Sequence, residues 1–87
     1  MTVALMWEAR AVEGRGAELL EWARAQARVL AREPERTEIL RAPQDRVLVM
    51  TWWDAEYDAE LPELPEPEAG LITRAVHRWR FESVDGA

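Results

Sequence analysis

Apolar and polar positions alternate in steps of two along Thr2–Val12, "TVALMWEARAV". Val3, Leu5, Trp7 and Ala9 fall on one side and Ala4, Met6, Glu8 and Arg10 on the other, which predicts a strand. "EGRG", Glu13–Gly16, reads as a turn. Over Ala17–Glu33 the period lengthens to that of a helix, with Leu20, Ala23, Ala27, Leu30 and Ala31 on one stripe beside Leu19 and Trp22. Pro34 ends it, because the residue before a proline is driven out of the helical region. Two short alternating runs follow, Arg36–Ala42 and Arg46–Trp53, joined by the turn residues Pro43-Gln44-Asp45; they predict a hairpin.

Asp54–Leu61 has room for two helical turns, but Leu61–Glu68, "LPELPEPE", does not continue them. Its three prolines predict an extended, polyproline-like path. Thr73–Val84 predicts a last strand. Ala75, His77, Trp79 and Phe81 share one face, expected to join Trp7 and Trp53 under the helix, and Arg74, Val76, Arg78, Arg80 and Glu82 share the other. The order strand, helix, strand, strand, degraded helix, strand predicts a single α+β domain over residues 1–87. It is a ferredoxin-like split β-α-β sheet with helical cover on one face only.

The third strand complicates that picture. Val47, Val49, Thr51 and Trp53 alternate with Leu48, Met50 and Trp52, so both of its sides are apolar. A half-solvated antiparallel sheet normally alternates apolar with polar. One helical layer covers one set, and the other is expected to meet a second copy of the chain. Leu48, Met50 and Trp52 are then dimer-interface residues, with Met6, Val76 and Val84 beside them. The alternative is that the proline-rich segment folds over that face within one chain.

Composition narrows the function classes. The chain has 87 residues, 48% hydrophobic and 32% charged, which suits one small folded core. A net charge of −6 argues against a nucleic-acid surface. There is no cysteine, so disulfides and thiolate chemistry are absent; with one histidine, no conventional zinc site is available. The first apolar run, Val3–Trp7, is too short for a signal peptide or a membrane span, and the expected location is cytoplasmic. All eleven basic residues are arginine, as a GC-rich genome would favour. No phosphate-cradling or dinucleotide fingerprint occurs.

The run from Thr2 to Asp54, with its first strand, glycine turn, long helix and "REPERTEILRAPQDRVLVMTWWDA", resembles the antibiotic biosynthesis monooxygenase-like family of dimeric α+β barrels. That resemblance implies a homodimer and, in several members, oxygenation of aromatic polyketides without metal or organic cofactor. It implies that Trp53 matches the family's strand-end, pocket-lining tryptophan. The oxygenases' asparagine falls at Val49 and their tyrosine at Ala59, with Tyr57 near but out of register. No asparagine occurs anywhere in the chain.

The candidate chemistry therefore has two readings at each point. His77 is a candidate catalytic base for an aromatic substrate, or a histidine packed with its nitrogens satisfied. Trp7, Trp53 and Trp79 could wall a substrate pocket, or interlock with Ala23, Ala27 and Ala31 as a filled core. Arg74 could hold a substrate oxygen, or pair with Glu8 or Glu82; Tyr57 could donate at a pocket mouth, or sit on the surface. Two functions follow. One is a small cofactor-independent, monooxygenase-like or cyclase enzyme of secondary metabolism acting on an aromatic polyketide-like ligand. The other is a non-catalytic protein of the same fold that binds a hydrophobic small molecule or assembles as a dimer. A hollow of about 300 Å³ or more between helix and sheet would favour the first, and tight packing the second.

Overall fold

The structure, a computed structural model, describes residues 1–86. Four strands, β1 (Thr2–Arg10), β2 (Arg36–Ala42), β3 (Arg46–Asp54) and β4 (His77–Ser83), form one antiparallel sheet in the order β2-β3-β1-β4. One helix, α1 (Gly16–Arg28), packs on one face, chiefly against β3 and β2. This α+β arrangement is compatible with a ferredoxin-like fold.

The turn between β2 and β3 does double duty. Gln44 and Asp45 take left-handed backbone angles, φ 67° and 58°. That conformation swings the Asp45 carboxylate onto the start of α1, where it accepts from the backbone N–H groups of Gly14 (3.0 Å) and Gly16 (3.2 Å). Arg15, at the cap position, makes no side-chain cap itself, so the hairpin supplies it. Leu19 and Ala23 on α1 are fully buried against the sheet.

The helix ends earlier than its periodicity predicts, at Arg28 rather than Glu33. Val29, a β-branched residue with 72% of its surface exposed, closes the last turn by donating to the Gln26 carbonyl, and Leu30 packs back on the core.

Asp54–Leu61 contains no helix. Beyond it, Leu61–Glu68 runs as an extended strap across the helix-side face of the sheet, in the place a second helix would take. Burial along the strap repeats every third residue: Leu61, Leu64 and Pro67 face inward. Three residues per turn is the period of polyproline II, so the leucine spacing and the prolines specify the same path. A polyproline strap has no internal hydrogen bonds, and its carbonyls find donors on the sheet. Trp7 Nε1 donates to Pro65 O (3.2 Å) and Arg78 Nη1 to Leu64 O (2.7 Å), while Arg80 Nη1 donates to the carbonyls of Tyr57 and Ala59 in the segment leading into the strap.

That bonding decides the parity of β4. Trp7 stands opposite Arg78 and Leu5 opposite Arg80, so the arginines share the inner face with the core of β1. His77, Trp79 and Phe81 consequently point to the outer face, opposite to the expectation that they join Trp7 and Trp53 under the helix. The strap likewise covers the inner face, not the outer one. Val76 packs against the core, and Val84 lies past the end of β4, 81% exposed.

Candidate functional site on the open sheet face

The inner face is closed. Trp7 and Trp53 are each 4% exposed. Trp7 stacks on Trp22 of α1 with ring centroids 5.8 Å apart, sealing the seam between helix and strap. The Trp53 N–H is held by the buried Thr51 hydroxyl at 2.9 Å, and the Arg32 guanidinium lies over its ring at 5.6 Å. Between β1, β3 and the strap remains a void of about 10 Å³, bounded by Leu5, Trp7, Val49, Leu64 and Arg78. It has room for one water molecule at most. The larger hollows, 360 to 440 Å³, are open grooves along turns and loop edges, and none is lined by Trp7, Trp53, Trp79 or His77. Neither of the two inner tryptophans borders a substrate-sized space.

The outer face is different in kind. Strand register lays it out as three rows. Arg36, Trp52, Ala4 and Phe81 form the first; Glu38, Met50, Met6 and Trp79 the second; Leu40, Leu48, Glu8 and His77 the third. Leu48, Met50 and Trp52 sit half-buried on this face, the side on which the alternation of β3 places them. Trp79 is 66% exposed, Phe81 45% and Leu40 40%. Together the apolar residues present on the order of 500 Å² to the outside. Trp52 has a partial lid of its own, since Arg36 stacks over its ring at 4.6 Å and pairs with Glu38 at 2.6 Å.

One corner of the face is polar. The Glu8 carboxylate, 16% exposed on the central strand, receives Arg74 Nη2 at 2.8 and 3.0 Å. His77 Nδ1 stands 3.5 Å from the same carboxylate, with the imidazole largely in solvent. The structure thus brings Arg74 and His77 together, but on the side of the sheet away from Trp7 and Trp53. Tyr57 is at no pocket mouth: its hydroxyl donates to Arg80 O at 3.2 Å, tying the start of the strap to the edge of β4. Among the described residues no cluster of metal-ligating side chains occurs, and no helix is long and apolar enough to cross a membrane.

Sequence reasoning overlooked Arg36, Glu38, Leu40 and Phe81 as members of the outer face, whereas the Arg74–Glu8 pair of its polar corner was one of the two readings given for Arg74. The hairpin turn carried the signal for the first three, because the pairing of Arg36 with Trp52 follows from the turn's position. No family model, no curated protein and no solved structure matches the chain.

Proposed function

We propose that this is a non-catalytic, cytoplasmic assembly protein whose open sheet face packs against a second copy, as in the dimeric α+β barrels it resembles. One contrast supports the reading. The inner face, for which the sequence left a ligand pocket and a filled core as alternatives, retains only about 10 Å³ between β1, β3 and the strap, while Trp79 is two-thirds exposed on an apolar outer face. Burying the exposed part of Trp79 alone is worth roughly 3–4 kcal/mol per protomer before association entropy is charged against it. Apolar centre and polar rim together approach the roughly 800 Å² per partner of a standard interface.

Sedimentation at tens of micromolar tests this. The expected particle has twice the 10.0 kDa chain mass, and Trp79→Glu yields a folded species of one chain mass. A wild-type particle of one chain mass would overturn the proposal.

The Glu8–His77–Arg74 corner favours a second reading, the cofactor-independent enzyme acting on an aromatic polyketide-like substrate. Glu8 stands 3.5 Å from Nδ1 of His77 and is paired with Arg74; in this reading Nε2 takes a phenolic proton and the Arg74 charge offsets that of the resulting anion. Loss of phenol turnover in a folded His77→Ala protein would support it; wild-type protein inert toward such phenols would end it.

A further inference from the structure

The two edges of the sheet end differently. The Ala11 N–H donates to Asp45 O and the Ala55 N–H to Met1 O, so Val47, Val49, Thr51 and Trp53 turn their backbone groups toward β1. The residues between them therefore bond to β2, where they stand opposite Arg36, Glu38, Leu40 and Ala42. That leaves the N–H and C=O groups of Thr37, Ile39 and Arg41 pointing off the sheet, with no partner among the described residues. β2 has neither the proline nor the bulge that commonly blunts such an edge. On the opposite edge, the outward carbonyl of Arg80 is taken by the Tyr57 hydroxyl at 3.2 Å.

The space beside the bare edge has a definite chemistry. The side chains of Thr37, Ile39 and Arg41 share the helix side of β2, and Ile39 packs against the core. Arg41 borders a hollow of about 440 Å³ with Gly16, Ala17 and Arg46 at the start of α1. Thr37 borders another, of about 430 Å³, with Ala27, Arg28 and Arg32 past the end of α1. Arg28 and Arg41 belong to no ion pair among the described residues. The carboxylates in these hollows are Glu33 and Asp45, and Asp45 is already held by the amides of Gly14 and Gly16. A chain of net charge −6 thus gathers free arginine at both ends of one unpaired strand.

We infer that β2 accepts an added strand from an acidic, extended peptide of another protein, lying between the free edge and α1. The backbone groups of Thr37, Ile39 and Arg41 supply the ladder, as in other sheets that recognise peptides by strand addition. Alternate peptide side chains face the groove. Carboxylates four residues apart then reach Arg41 at one end and Arg28 at the other, because Thr37 and Arg41 lie roughly 13 Å apart along the strand. An apolar residue midway rests on Ile39. Charge on an edge strand also repels unsuitable strands, so the same arginines that admit an acidic peptide turn away a basic one. This surface is separate from the open sheet face and does not depend on the dimer reading.

The fluorescein-labelled peptide Thr-Glu-Thr-Val-Thr-Glu-Thr tests the inference, with a version carrying Lys for Glu as its control. Fluorescence anisotropy is expected to give the acidic peptide a Kd about tenfold or more below that of the control at 50 mM sodium chloride, and a weaker Kd at 500 mM. At saturation, amide exchange followed by NMR is expected to slow about tenfold or more at Thr37, Ile39 and Arg41 and to stay unchanged at Arg78, since a ladder bond must open before exchange. Thr37→Pro removes an outward N–H and leaves the β2–β3 ladder intact; checked for folding by circular dichroism, it is expected to lose the peptide. The double variant Arg28→Glu/Arg41→Glu is expected to prefer the lysine peptide. Equal binding of both peptides by the wild-type chain, no protection of the three edge amides, or undiminished binding by folded Thr37→Pro overturns the inference. Slow exchange at those amides that rises with protein concentration before peptide is added would assign the edge to a second copy and overturn it equally.

Discussion

Asp45 shows how much a single side chain carries in a chain of this length. It holds a left-handed turn, lends its carboxylate to the first turn of α1, and gives its own carbonyl to the N–H of Ala11 at 2.8 Å. Asp45→Ala is expected to lose about 1–2 kcal/mol of unfolding free energy in urea, the usual range for a lost cap, made worse by a poor left-handed residue. Asp45→Asn keeps the tolerance of the left-handed region but only one of the two acceptor oxygens, and sets its NH2 against the second N–H, so it is expected to lose about 1 kcal/mol. Gly16 completes the contact: a Cβ there would stand 2.6 Å from Asp45 Oδ1. Gly16→Ala is therefore expected to destabilise, although the same exchange inside a free helix would gain about 1 kcal/mol.

The strap is the element with the least ordinary construction. Its inward leucines bury as core residues do, Leu64 to 3% exposure. Leu64→Ala is expected to cost about 2–4 kcal/mol by denaturant unfolding. The prolines made the extended path of this segment readable from the sequence, and alternation did the same for β1, β2 and β3. The parity of β4 was not readable. Two aromatic residues and a histidine on alternate positions look like an inner face, and the arginines between them look like an outer one. What reversed them was a demand made elsewhere: the carbonyls of the strap and of the segment before it need donors, and Arg78 and Arg80 on the inner side of an edge strand supply them beside Trp7. The early end of α1 escaped for a similar reason, since nothing in the apolar stripe records that Leu30 must turn back to the core.

The charge of the entire chain sets the response of a dimer to salt. Two bodies of net charge −6 repel one another, and the apolar centre of the proposed contact does not depend on ions. Raising sodium chloride from 50 to 500 mM is expected to lower the dimer dissociation constant several-fold, as followed by sedimentation equilibrium. A contact held mainly by ion pairs across the interface would respond in the opposite sense. The sheet's apolar outer side was legible from β3 alone, whereas the closed inner side was not, because filling a cavity depends on how the strap packs and not on which residues line it.

The strand order has a consequence for biosynthesis. Of the four strands β1 is made first, yet its two neighbours in the sheet, β3 and β4, begin at Arg46 and His77. A nascent chain therefore carries Val3, Leu5 and Trp7 without a hydrogen-bonding neighbour until β3, which begins at Arg46, has been made. The first of the four strands to be made is among the last to be enclosed on both edges, and a holding chaperone acting on this protein would find its target there.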